Sequence, residues 1–208
     1  MLSDDLRRAL EERLSIAQDH GAIGPGALGS HIDHALRLAE AIRPLPRRFL
    51  DLGSGAGLPG LVLALAWPHV TGTLLDAQRR RAQDLIEATV ALGIDQRVAV
   101  VNDRAETAAW SPAHRDGYDL VVARAFGAPA VVAECGAPFL AVGGALVVSE
   151  PPAEEGGRWP AEGLAGVGLG PAEPLGPGLR FVVMRKQRAS AAGEPRADGR
   201  PAKRPRWS

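Results

Sequence analysis

The sequence predicts an α/β fold: a doubly wound, Rossmann-like parallel sheet, with helices before it and a disordered basic tail after it. Three observations carry this expectation. Short runs rich in Val and Leu alternate with helical stretches of about 10–15 residues. A glycine-rich turn, Gly53-Ser54-Gly55-Ala56-Gly57-Leu58-Pro59-Gly60, follows the first of these runs. A carboxylate, Asp76, closes the second run, where such folds hold a ligand's hydroxyls.

The elements follow in order. Residues 4–20 place Leu6, Leu10, Leu14 and Ala17 at helical spacing, and Ser3 before Asp4 and Asp5 is a helix start. Gly21 to Gly29 breaks this helix. A second helix is expected from His31 to Ile42, with Ile32, Ala35, Leu36 and Ala39 inward, ended by Pro44 and Pro46. These two helices are placed to lie across a ligand cleft. Arg48–Leu52 is the first strand. A helix then runs from the glycine turn to Trp67-Pro68. Val70–Leu75 is the second strand. The next helix spans Arg79–Leu92, with Ala82, Leu85, Ile86, Thr89 and Val90 inward. Further strands are expected at Arg97–Val101, Asp119–Ala123 and Ala145–Ser149, with a helix over Pro129–Ala141. Half of the residues from Pro151 to Gly178 are Gly or Pro, so that connection should be long and poorly regular. Arg180–Lys186 is the last strand, and the polar chain from Gln187 onward is expected to be disordered. The organisation read from the sequence is a helical segment 1–46, a ligand-binding domain 47–186 and a basic tail 187–208.

The glycines let the turn adopt positive φ and let a ligand lie against main-chain N–H groups at a helix N-terminus. Two ligands compete for that description. Gly55-x-Gly57-x-x-Gly60 with Asp76 satisfies the dinucleotide fingerprint. Asp51-x-Gly53-x-Gly55-x-Gly57 is the loop of class I methyltransferases, which bind S-adenosylmethionine. An acid ahead of the first glycine attracts a cationic ammonium and sulfonium and repels a pyrophosphate. That favours the methyltransferase reading.

The whole chain bounds the alternatives. Lys and Arg number 24, as do Asp and Glu, but the balance is uneven. From Arg185 on, eight basic residues face only two acids, Glu194 and Asp198. That tail either binds RNA by charge or is a solubilising end. A single cysteine, Cys135, precludes an internal disulfide and reads as a small buried residue. No apolar run reaches the ~20 residues of a membrane span. No cluster has zinc-ligand spacing. We therefore expect a soluble, cytoplasmic monomer without a metal.

The motifs together resemble the bacterial small-subunit ribosomal RNA guanine-N7 methyltransferases, also called glucose-inhibited division protein B, of which this chain would be a divergent member. The glycine loop with its Leu58-Pro59-Gly60 ending carries the likeness. So do His31-Ile32-Asp33-His34, Arg104-Ala105-Glu106 and Arg124-Ala125-Phe126, over about residues 30 to 150. The resemblance implies S-adenosyl-L-methionine as cofactor and 16S ribosomal RNA or the small subunit as partner. It implies cofactor contacts at Gly53 and Leu58 of the loop, at Ala105 and Glu106 around the adenine, and at Arg124 on the cofactor or acceptor side. Asp51, Gly55 and Asp76 join the cofactor set from the loop reading itself. Asp51, Asp76, Glu106 and Arg124 all end or follow strands, where open α/β sheets bind ligands. Arg124 is the candidate catalytic residue, holding guanine, a phosphate or the cofactor carboxylate; a salt bridge to Asp51 or Asp103 is the competing role. The chain departs from the family where the fifth strand leads into Ser149-Glu150 rather than Lys-Gly. That acid motivates two alternatives: a methyltransferase of the same fold for a small molecule or protein, or a cofactor-binding module without ribosomal RNA activity.

Overall fold

A computed structural model describes residues 2–151 and 157–207, which divide into two compact units, Met1–Asp103 and Arg104–Ser208. The first unit runs α1 (Asp4–Asp19), α2 (Leu28–Ala41), β1 (Arg48–Leu52), α3 (Gly60–Ala66), β2 (Thr71–Leu75), α4 (Arg79–Ala91) and β3 (Val98–Val101). Its strands are parallel in the order β3-β2-β1, with Asp51 opposite Leu74 and Leu52 opposite Leu75. Successive strands are joined by helices, as parallel pairing requires. Phe49, Leu50, Leu61, Val62, Leu63 and Leu74 are buried between them. Phe49 meets Trp67 edge-on at 5.9 Å. The Arg97 guanidinium closes the end of α3 by donating to Ala64 O at 2.6 Å and Val70 O at 3.1 Å. A cation at a helix C-terminus satisfies carbonyls that have no partner in the helix.

Ser3 caps α1 as its sequence predicts, accepting from Leu6 N. The two leading helices pack on the unit's own helices rather than over the glycine turn. His20, just past α1, pairs with Asp84 of α4 at 2.9 Å, and Trp67 Nε1 donates to Ala39 O of α2. What reaches the turn is their connector, with Ala22 O beside Gly55. Two faces differ from expectation. Leu38, not Leu36, is buried on α2. On α4 the inward residues are Ala82, Leu85, Ala88 and Thr89, while Ile86 and Val90 are exposed. Ile86 and Val90 lie one position past that stripe, and the small Ala88 takes the close approach in their place.

The second unit contains α5 (Ala105–Ala108), β4 (Tyr118–Ala123), α6 (Pro129–Gly136), a 3₁₀ turn at Ala137–Phe139, β5 (Leu140–Ser149), α7 (Ala161–Gly166), β6 (Glu173–Pro174), β7 (Phe181–Arg185) and α8 (Arg200–Lys203). Strand β4 pairs with β5 in parallel, but β7 pairs antiparallel to both β5 and β6. The all-parallel expectation fails here: among the described residues, the connection from 150 to 180 contains one short helix, α7, and the two-residue strand β6, which itself pairs with β7. That connection is partly regular; its residues 152–156 lie outside the described residues. Gly143-Gly144 lies within β5 rather than before it.

The disordered tail expected from composition is also corrected. Residues 187–207 fold onto the second unit. The wholly buried carboxylate of Glu134 accepts from Arg196 Nε at 2.7 Å and Nη2 at 2.6 Å, and from Arg206 Nε at 3.1 Å. A buried carboxylate must be paired, and the tail pairs this one with two guanidiniums and with the Arg196 main-chain N–H at 3.2 Å. Cys135 is buried as expected, and burial pushes its thiol pKa well up.

Lys186 is also buried, donating from Nζ to Ala137 O at 2.7 Å and to Ser190 Oγ. Burial lowers its pKa to about 8, against the pull of Asp116 and Glu194, with Arg115 and Arg188 adding to the lowering. The unfolded chain therefore holds more protons than the native one between about pH 8 and pH 10, so the Lys186 contribution to stability rises with pH across that window. Relative to Lys186→Met, the wild type should gain about 2–3 kcal/mol in denaturant unfolding between pH 7 and pH 10. An unchanged difference would mean that the amine is not desolvated.

Candidate functional site

The glycine turn between β1 and α3 is built on two buried carboxylates. Asp51 sits in β1 and is 1% exposed; Asp76 follows β2 and is 5% exposed. The parallel register puts the ends of β1 and β2 side by side, so both carboxylates arrive beneath the same loop. Asp51 Oδ2 accepts the Gly60 N–H at 2.9 Å. Asp76 Oδ2 accepts the Gly55 N–H at 2.8 Å, and its Oδ1 accepts the Gln78 N–H at 2.8 Å. Backbone bonds complete the turn: Ser54 N to Leu75 O at 2.9 Å and Gly57 N to Ser54 O at 2.7 Å. Asn102, just past β3, donates from Nδ2 to Asp76 O at 2.9 Å. The sequence reading missed Asn102 and Gln78, whose only signal was their position next to a strand end and next to Asp76.

The glycines have separate roles. A Cβ on Gly57 would lie 2.4 Å from Leu61 Cδ1, and one on Gly60 would lie 2.5 Å from Asp51 Oδ2 and 2.4 Å from Leu74 Cδ2. These two glycines make room for the protein's own packing. Gly55, at φ +56°, would meet only Ala22 O and Gly53 O, both beyond 3.6 Å as ordinary contacts at 3.7 and 3.8 Å. Leu58 is buried within the turn.

The chemistry of this turn suits a cationic ligand bearing hydroxyls. Each Asp76 oxygen accepts one N–H and keeps a second lone pair, so a vicinal diol can still donate to it. The pair of carboxylates favours positive charge and opposes a pyrophosphate.

The other candidate residues lie in the second unit. Ala105 and Glu106 open α5, both 5% exposed. Glu106 Oε1 accepts from Arg104 Nη2 at 3.0 Å and from Gly199 N of the tail at 2.9 Å. Arg104 also pairs with Asp198. Arg124 follows β4 directly and is half-buried. Ala125 after it has φ +54°, a left-handed conformation that costs a residue with a Cβ about 1–2 kcal/mol. Such a conformation persists only where the surrounding structure holds it. Glu150, the departure after β5, is held by Arg158 Nη1 at 2.8 Å and Trp159 Nε1 at 3.1 Å. Among the described residues, no group of three His, Cys, Asp or Glu is placed to hold a metal ion, and no helix is long and apolar enough to cross a membrane.

Residues 25–151 match the family model described as rRNA small subunit methyltransferase G. Proteins named ribosomal RNA small subunit methyltransferase G share this similarity. One from Roseiflexus castenholzii is 36% identical over 84% of this chain and 77% of its own length. One from Deinococcus radiodurans is 38% identical over 75% of this chain and 64% of its own. One from Rubrobacter xylanophilus is 33% identical over 95% of this chain and 85% of its own. Among solved structures, PigF with SAH aligns at TM-score 0.59 with 18% identity, over 74% of this chain and 54% of that one. The O-methyltransferase from Bacillus cereus in complex with SAH aligns at 0.55 with 15% identity, over 69% and 66%. At these identities the likeness concerns the fold, which is the Rossmann-like methyltransferase fold expected from the sequence.

The separate roles of the glycines are testable by denaturant unfolding. Gly60→Ala should cost about 2–4 kcal/mol, because its Cβ displaces a buried carboxylate from its hydrogen bond. Gly55→Ala should cost only about 1–2 kcal/mol, the strain of its positive φ. Equal losses would contradict this division.

Proposed function

The chain belongs to the rRNA small subunit methyltransferase G family, and we propose that it transfers a methyl group from S-adenosyl-L-methionine to guanine N7 of 16S ribosomal RNA in the cytoplasm. The observation that carries the reading is the pair of buried carboxylates under the glycine turn, Asp51 and Asp76. They give the turn an acidic floor that suits a sulfonium and ammonium, and they fix the loop amides before a ligand arrives.

The cofactor supplies an electrophilic methyl group on a positively charged sulfur. The chain's own residues bind and position. Asp76 takes the ribose hydroxyls through the lone pairs left on its two oxygens. Gly53, Gly55 and Leu58 present the loop backbone, and Asp51 holds that loop through Gly60. Ala105 and Glu106 flank the adenine. Arg124 holds the acceptor guanine or its phosphate, on a backbone fixed by the strained Ala125. Guanine N7 has an in-plane lone pair, so no proton has to leave before attack and no general base is needed. Holding the two reactants in line contributes on the order of 7–11 kcal/mol at best. This agrees with a candidate set that has an arginine but no nucleophile–base pair.

Glu150 opposes a ribosomal substrate less than the sequence suggested. Its carboxylate is spent on Arg158 and Trp159, so it does not stand as an unpaired charge against a phosphate backbone. The reading of another acceptor rested on that acid and loses its main support.

The test is transfer of labelled methyl groups to unmethylated small subunits and to their extracted RNA, with the product nucleoside identified. We expect N7-methylguanosine at one position, and a loss of about 100-fold or more in kcat/KM for Arg124→Ala with the affinity for S-adenosylhomocysteine changed far less. Binding of S-adenosylhomocysteine without incorporation into either RNA would reject the ribosomal acceptor. Asp76→Ala should weaken S-adenosylhomocysteine binding at least about tenfold by calorimetry, since it removes both the ribose acceptor and the Gly55 anchor.

A further inference from the structure

The folded tail sorts its charges. Four carboxylates, Glu106, Glu134, Glu194 and Asp198, are paired with Arg104, Arg196 and Arg206. The first three of these acids are buried. Pro195 and Pro201 are buried as well, and Trp207 Nε1 donates to Arg158 O at 3.2 Å. The tail is thus fastened along its length. Three cations take no part in this fastening. Arg200, Lys203 and Arg204 are exposed and carry no ion pair among the described residues. Arg200 and Lys203 lie in the single turn of α8, at i and i+3 on one face, and Arg204 is its C-cap. Arg204 N bonds Arg200 O at 2.9 Å, and Arg204 O accepts from Arg196 Nη2 at 2.9 Å, so the turn is tied to the buried Glu134 cluster.

We propose that this turn, Gly199 to Arg204, is a phosphate-docking surface for the RNA substrate. The inference rests on the ribosomal RNA reading above for its partner, and on the charge sorting for its place. Three cations on one helical turn and its C-cap, with the local acids paired to Arg104, Arg196 and Arg206, present a positive field to a polyanion without internal competition. Gly199, which begins the turn, donates to Glu106, so the cations sit next to the residue assigned to the adenine. A membrane surface fits less well. An interfacial helix needs length and an apolar face, whereas α8 has four residues and its apolar Pro201 is already buried in the protein.

The experiment measures binding of the full chain to unmethylated, protein-free 16S ribosomal RNA from about 50 to 200 mM salt. For the variant Arg200→Ala/Lys203→Ala/Arg204→Ala we expect affinity to fall about tenfold or more at about 150 mM salt, and the slope of log K against log salt to shrink by about 2–3. The charge-preserving Arg200→Lys/Arg204→Lys should keep the wild-type slope. Both variants should bind S-adenosylhomocysteine as the wild type does, which excludes a folding defect. If the wild type binds the RNA and the triple alanine variant binds with the same slope, the docking surface is overturned and the substrate reading stands. If the wild type does not bind the RNA, both fall. If the three cations govern binding to phosphatidylglycerol vesicles but not to RNA, the surface belongs to a membrane and the proposal is overturned.

Discussion

The arrangement on which the candidate site depends is the capture of loop amides by carboxylates at strand ends. A glycine-rich turn has little side-chain packing to hold it and loses much conformational freedom on folding. Here Asp51 and Asp76 supply the missing constraint by accepting the Gly60 and Gly55 N–H groups inside the protein. Hydrogen bonds to charged acceptors are the stronger kind, about 1.5–3 kcal/mol each, and more is lost if a buried partner is left alone. The parallel pairing of β1 with β2 makes the arrangement possible, because it brings both strand ends to the same side.

The second unit uses the same device on a larger scale. Glu106 and Glu134 lie on α5 and α6, far from the tail in sequence, and bind it through a main-chain N–H and two guanidiniums. A buried carboxylate deprived of its partners is costly, so the helices and the tail stabilise one another. Arg196 and Arg206 hold the Glu134 pKa below its usual range against the opposing effect of burial. The carboxylate thus stays charged and paired. Fastening the tail in this way spends some of its cations and leaves others outward, which is how one short segment combines anchorage with a basic surface.

Much of the architecture is legible in the sequence because it is local. Val/Leu runs mark the strands, Ser3 marks a cap, and the turn with its two acids marks the site. What is not legible depends on pairing across long separations. Composition makes residues 187–208 look disordered, since nothing nearby could hold them; the groups that do hold them, Glu106 and Glu134, are more than 60 residues upstream. The antiparallel β7 depends on a connection whose Gly and Pro content hides its path. Ile86 and Val90 look inward by residue type, yet the approach on α4 is close enough that Ala88 takes the buried place. The alternate glycines look equivalent, and only their surroundings separate Gly57 and Gly60, which admit the protein's own side chains, from Gly55. Glu150 looks like a substrate determinant in sequence, and in the fold it is a structural anchor for Arg158 and Trp159.

The central claim is that the turn is organised by its own carboxylates before any cofactor arrives. Amide hydrogen exchange at Gly55 and Gly60 in the ligand-free protein tests it most directly. The account predicts that both amides are already protected without ligand, and that Asp76→Ala exposes Gly55 while leaving Gly60 protected. Rapid exchange at both in the ligand-free wild type, with protection only after S-adenosylhomocysteine is added, would contradict it and make the ligand the organiser of the loop.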